Sequence, residues 1–167
     1  MSSTIATLYF VITAPVLFYI IFTDLRYMRI YNGSNIVLFL LFLIPAPFFF
    51  AVPEIGWRLL AGVIAFAIGF LLNIAGRLGG GDAKFLPAAT PFIATGDIPF
   101  VLVMLAFFGI VTIIVHRGLL FVPPFRAAVS DWVSWNHPKM NGKPAMPYGV
   151  ALALTLSVYL FLRAFIA

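Results

Sequence analysis

The stretch Gly79–Asp97, GGGDAKFLPAATPFIATGD, decides how often the chain crosses a membrane, and so which residues face one another. Its Ala83–Thr95 portion is apolar but short, and Pro87 and Pro91 interrupt it. A membrane-spanning helix needs about 20 apolar residues. Runs of that kind are plain elsewhere, at Thr4–Phe22, Asn35–Val52, Leu59–Gly76, Ile98–Val115 and Tyr148–Ile166. Charge settles the doubtful segment, because Lys and Arg collect in cytoplasmic loops. With six crossings, Arg26, Arg29, Arg77, Lys84, Arg117, Arg126, Lys139 and Lys143 share one side, and only Arg58 and Arg163 lie toward the other. Without the fourth crossing, Arg117, Arg126, Lys139 and Lys143 change sides and the bias disappears. The expected topology is six transmembrane helices, both termini outside and the basic face cytoplasmic.

Composition agrees. Of the 167 residues 63% are hydrophobic and 9% charged, and the mean hydropathy is +1.12. Such a chain is an all-α integral membrane protein whose surroundings are the lipid bilayer. No polar or low-complexity linker interrupts it, so residues 1–167 are expected to form a single membrane domain. The chain has no cysteine, which excludes disulfides, thiolate metal sites and cysteine nucleophiles. The net charge of +5 is scattered at the ends of apolar runs, not gathered into a stripe, so it reports topology and not a nucleic-acid partner. The first run is expected to stay in the mature chain. No basic residue precedes it, and Asp24 and Arg26 stand where a small-residue cleavage site would be.

There are five acidic residues: Asp24, Glu54, Asp82, Asp97 and Asp131. Asp24 ends the first span and Asp82 begins the fourth. Two crossings separate them, so both belong at the cytoplasmic boundary. Ionisable groups at such a boundary mark a functional path or a paired site. The plainer alternative is helix capping, with Asp82 as an N-cap. Around Asp82 the sequence Leu78-Gly79-Gly80-Gly81-Asp82-Ala83-Lys84 contains the pattern G-x-G-D. Glycine permits positive φ and the close approach of another backbone. Helical peptide bonds are shielded by their own hydrogen bonds, so a glycine-walled acid suits work on an unwound segment. An ordinary turn between the third and fourth helices has the same composition.

Three stretches together resemble the type IV prepilin peptidase family, within the G-x-G-D aspartyl intramembrane proteases. Asp24-Leu25-Arg26-Tyr27-Met28-Arg29-Ile30-Tyr31-Asn32 resembles the family's D-x-x-x-x-x-I-P-N, with Tyr31 in place of proline. Gly79-Gly80-Gly81-Asp82-Ala83-Lys84 resembles G-x-G-D-x-K, and Met146-Pro147-Tyr148-Gly149 resembles the P-Y-G opening of the last helix. The cysteine-bearing insertion and methyltransferase activity of many members have no counterpart here. The chain looks like the short form typified by tight-adherence pilus peptidases.

The resemblance implies an aspartic endopeptidase of the bacterial inner membrane that cleaves pilin or pilin-like precursors at the cytoplasmic face. Asp24 and Asp82 would be its catalytic pair, supported by Gly79, Gly81 and Lys84. One carboxyl acts as base toward water while the other protonates the scissile carbonyl, and two acids in one site share a proton. Water attacks directly, so no cofactor or metal is implied. A non-catalytic assembly scaffold and a small transporter remain as alternatives. A transporter predicts midplane acids and an internal repeat, which the sequence lacks. A presenilin-like enzyme predicts a Tyr-Asp pair, whereas here Thr23 precedes Asp24.

The other polar residues carry structural expectations. Lys84 snorkels to the headgroups or tunes the site, Arg26 and Arg29 anchor topology, and Asn32 closes a turn. Asn73 bonds across helices. Glu54 and Asp97 lie on the outer side, away from the chemistry. Phe125, Val129, Trp132 and Val133 recur at helical spacing and predict a surface helix carrying Asp131. Trp132, Trp135, Lys139 and Lys143 suit the interface, as do His116 and His137.

Overall fold

The chain is described here by a computed structural model covering residues 1–136, 139–140, 143–144 and 146–166. The Ser2 side chain accepts a hydrogen bond from the Ile5 amide and starts helix α1, Ser3–Tyr27. The second apolar run breaks where Pro45 removes an amide donor, giving α2, Asn32–Leu43, and the single turn α3, Ala46–Phe49. Helix α4, Val52–Ile74, opens with Pro53 in its first turn, where the missing N–H has no intrahelical partner to lose. Then come α5, Gly80–Ala89, and the long α6, Ile98–Gly118. Two short helices follow, α7, Pro123–Ala128, and α8, Val133–Asn136. The last helix is α9, Tyr148–Phe165. The only strands among the described residues are Lys139–Met140 and Lys143–Pro144, paired antiparallel.

Five segments are long and apolar enough to cross a membrane: Ser3–Tyr27, Asn32–Phe49, Val52–Ile74, Thr95–Phe121 and Tyr148–Phe165. The protein is an all-α integral membrane protein. The debated stretch is not a sixth helix of that length. Its α5 has 10 residues, about 15 Å at 1.5 Å per residue, and 3₁₀ turns at Thr90–Phe92 and Thr95–Asp97 continue it.

This broken segment nevertheless carries the chain from one end of the bundle to the other. A Cβ on Gly69 would lie 3.2 Å from the Ala83 backbone, and one on Gly62 would lie 3.2 Å from the Pro87 carbonyl. Further along, Arg58 Nη1 donates to the Pro91 carbonyl at 3.0 Å. As the chain rises from 83 to 91 its partners on α4 fall from 69 to 58, an antiparallel descent. At the far end Tyr159 donates its hydroxyl proton to Asp97 at 2.7 Å, and Arg163 lies 3.6 Å from the same carboxylate. Those two residues are a helix length from Gly149, at the opposite end of α9. The α9 helix is the centre of the packing, with Val150–Ala153, Leu156, Tyr159 and Leu160 buried against α1, α5 and α6.

Two further expectations change. The surface helix is split into α7 and α8, with Asp131 in the turn between them. Asn73 does not reach another helix; its amide donates at 2.8 Å to the Leu78 carbonyl, in the turn that follows α4.

Arg58 is the structural clamp of the far end. It is only 1% exposed, donates twice to Glu54 at 2.8 and 3.0 Å, and sits 4.4 Å over the Phe50 ring. Arg58→Ala leaves the Pro91 carbonyl without this donor. A hydrogen bond from a charged group is worth about 1.5–3 kcal/mol, so thermal unfolding in detergent should show a loss of that size, whereas Trp57→Ala on the exposed face should unfold near the parent temperature.

Candidate active site

The Gly79-Gly80-Gly81-Asp82 turn is set by the end of α4. Gly76 takes φ 65°, its amide bonds the Asn73 carbonyl, and the Arg77 amide bonds the Leu72 carbonyl. This paired closure ends a helix on a left-handed glycine and turns the chain back toward α1. Gly79 then caps α5 from extended backbone, φ −66° and ψ 149°. Asp82 is not the N-cap. It is the third helical residue, and its carboxylate reaches back to the Gly79 amide, the reciprocal half of a capping box.

Gly79, Gly80 and Gly81 all have negative φ, so close approach, and not backbone handedness, explains the glycines. A Cβ on Gly79 would stand 2.6 Å from Asp82 Oδ2, and one on Gly81 would stand 2.8 Å from the Ile30 carbonyl oxygen. A Cβ on Gly80 would meet nothing nearer than the Asn73 amide nitrogen at 3.9 Å. Gly81 is fixed by the Ile30 backbone, a side chain at Gly79 would push the Asp82 carboxylate from its place, and the intervening position is free.

On the other side, α1 ends at Met28, which adopts φ 54° and donates its amide to the Asp24 carbonyl. Non-glycine residues seldom hold that conformation. Here it folds Arg29–Asn32 back beside the helix end. Tyr31 has φ −75° and ψ 144°, values that proline itself adopts, so the substitution keeps the loop's course.

Asp24 is 4% exposed. Its Oδ2 accepts a hydrogen bond at 3.2 Å from the Val150 amide in the first turn of α9, which it shares with the Pro147 carbonyl at 3.3 Å. A Cβ on Gly149 would lie 2.9 Å from the Asp24 carboxyl carbon and 2.8 Å from Ile30 Cδ1. The acid can sit there only because residue 149 lacks a side chain.

Asp24 and Asp82 line one cavity of about 330 Å³, walled by Met28–Asn32 on one side and Gly79–Gly81 on the other. The remaining candidate, Lys84, does not join them; its ammonium donates to Asn32 Oδ1 at 3.0 Å and so ties α5 to the start of α2. Arg29 lines the cavity. Arg26 pairs with Asp131 at 3.2 Å across exposed surface, a contact worth little in water. His116 is buried and stacks on Trp135 with ring centroids 4.5 Å apart. His137 lies outside the described residues.

Three contributors were not singled out from sequence. Gly149 was visible only as part of a motif. Asn35 donates to the Gly81 carbonyl at 3.1 Å and anchors the glycine turn; its signal was an amide inside an apolar run. Ser134 donates to the Leu25 carbonyl, fastening the α6–α9 connection over the end of α1.

Fold and site together define a multi-pass helical membrane protein with two carboxyl groups on a shared cavity. A family model described as the type IV leader peptidase family matches residues 11–114. That is more than half of the chain, and the chain belongs to this family of peptidases. The match takes in Asp24 and Asp82 and ends before the Met146–Gly149 motif. Comparison with curated proteins finds no match, and neither does comparison with solved structures.

The glycine contacts give a position-specific expectation. In a precursor-processing assay in membranes, Gly79→Ala, Gly81→Ala and Gly149→Ala should each lower cleavage by about tenfold or more, since overpacking displaces neighbours at about 1–3 kcal/mol. Gly80→Ala should cleave at close to the parent rate. Equal losses at 79, 80 and 81 would refute the contact pattern.

Proposed function

We propose that Asp24 and Asp82 are the catalytic pair of an aspartic endopeptidase that removes the leader from pilin or pilin-like precursors at the cytoplasmic face of the bacterial inner membrane. One observation carries the reading: in a chain of the leader peptidase family, two acids 58 positions apart in sequence, 24 and 82, line the same cavity.

The reaction asks each group for one proton transfer in each of two steps. A water held between the carboxyls gives a proton to the ionised one as its oxygen attacks the scissile carbonyl carbon, and the protonated one passes its proton to the carbonyl oxygen. On collapse of the tetrahedral diol the C–N bond breaks, the newly protonated carboxyl gives its proton to the leaving nitrogen, and the other, now ionised, takes a proton from a diol hydroxyl, which restores the pair. Two neighbouring carboxyls suit these roles because mutual repulsion opposes ionising both. The Val150 amide holds Asp24 in place, and the Gly79 amide holds Asp82. A pre-positioned pair of this kind avoids reorganisation during the reaction. Of the three glycines only Gly80 faces open space; Gly79 makes room for the Asp82 carboxylate and Gly81 for the Ile30 backbone.

Asp24→Asn and Asp82→Asn keep size and shape while removing the titrating group. Each should reduce cleavage of a co-expressed precursor by at least about 10³-fold, within the range general acid–base groups contribute, while the protein still accumulates in membranes. A scaffold would support pilus assembly with both acids neutralised, and cleavage surviving in either variant would overturn the catalytic assignment.

A further inference from the structure

A second hollow, of about 520 Å³, lies between α2 and α5. Asn32 lines both it and the aspartate cavity, so the two meet at that residue. From there the groove follows α2 past Ile36, Phe39 and Leu40, with Pro87 and Ala88 of α5 opposite. Ile36 is 60% and Leu40 41% exposed, which opens the groove sideways onto the surface of the transmembrane bundle.

Beyond Asn32 and Lys84, which bond each other where the groove begins, Asn35 breaks the apolar lining. It is 5% exposed, and its amide nitrogen is committed to the Gly81 carbonyl. Its Oδ1 is buried with no hydrogen-bond partner. Buried carbonyl oxygens are seldom left unmet, so this groove presents apolar walls with one unused acceptor. A lipid acyl chain satisfies the walls and offers no donor. A helix satisfies the walls too, but its backbone amides are already engaged. An apolar polypeptide in extended conformation supplies both apolar side chains and free N–H groups, and it is the conformation in which a peptide bond can be cleaved.

We propose that this groove receives the unwound apolar flank of the substrate beside the scissile bond, with Asn35 Oδ1 accepting a substrate backbone N–H. The proposal rests on Asp24 and Asp82 being the cleaving pair. From Asn32 to Leu40 the helix rises about 12 Å, room for three or four extended residues at about 3.3 Å each. The groove leads away from the aspartates along the transmembrane bundle, so it takes the flank that continues into the substrate's membrane-buried segment. The polar leader lies on the Arg29 side of the cavity.

The test uses the full chain carrying Asp24→Asn, which leaves the substrate intact, in phosphatidylethanolamine–phosphatidylglycerol vesicles. The probe is a synthetic peptide with a polar leader ending in glycine and an apolar segment of about 20 residues. A photoreactive amino acid at Ile36 should label the first few residues after the glycine, and unlabelled peptide should compete. The same group at Ile113, exposed on α6, should label lipid alone. Lipid labelling at both positions, or equal peptide labelling at both, overturns the proposal.

Esters placed singly at amide positions of that flank remove one N–H each. One of them should weaken binding to the Asp24→Asn chain by about five- to tenfold, the size of one hydrogen bond. The same ester should have no effect when Asn35→Leu is added, whereas an unchanged ester effect in that background contradicts the assigned contact. Neither arm needs turnover, so failure of the groove is distinguishable from failure of the catalytic pair, which cleavage by Asp82→Asn alone would reveal.

Discussion

A carboxyl group at the end of a membrane-spanning helix has no solvent on most of its sides, and lipid cannot supply hydrogen bonds. Asp24 meets this constraint with backbone amides of another helix. The N-terminus of α9 brings the Val150 N–H to its carboxylate, and the bare Cα of Gly149 leaves the space it occupies. Much of the remaining structure follows from holding those two helix ends together. The α9 helix is the most buried of the five long segments. The α6–α9 connection is fastened over α1 through Ser134 and Trp132, the latter packing edge-on against Phe22. The left-handed turn at Met28 then brings Ile30 against Gly81, and with it the second acid.

Asp82 is supported differently. It sits half-buried in the first turn of α5, held by the amide of its own cap. The segment from α5 to Asp97 is broken by Pro87 and Pro91 and depends on α4 for its path. Gly69 and Gly62 let it lie close, and Arg58 takes up the Pro91 carbonyl. At the far end the Asp97–Tyr159–Arg163 cluster ties it to α9. The glycines of α4 therefore serve the site from a distance, by fixing the rod on whose first turn Asp82 stands.

How much of this was legible in the sequence depended on the physical term involved. Hydropathy located the five long spans, because apolar length is a bulk property, whereas the sixth helix of membrane length that the charge bias favoured is a short α5 followed by 3₁₀ turns. The pairing of Asp24 with Asp82 was legible for a related reason: an even number of crossings returns the chain to the same side. Contacts at the scale of one side chain were not. Nothing in the spacing says that Gly149 faces Asp24, that Lys84 turns to Asn32, or that Gly80 is free while Gly79 and Gly81 are not. The surface helix failed because Pro123 and Pro124 start it and the turn at Ser130 and Asp131 ends it, which hydrophobic spacing does not weigh. Asn73 was misread because the turn after α4 offered a carbonyl closer than any neighbouring helix.

The central claim is that two acids from separate helices occupy one site in the membrane-embedded protein. The chain has no cysteine, so a pair can be introduced without competing thiols. With Asp24→Cys and Asp82→Cys together, a short bismaleimide applied to native membranes should link the two positions, and protease cleavage within residues 29–77 should leave the fragments joined on a denaturing gel. Asp24→Cys with Asp97→Cys, at opposite ends of the bundle, should not link. Fragments that separate for the 24–82 pair, or that join equally for both pairs, would contradict the shared site.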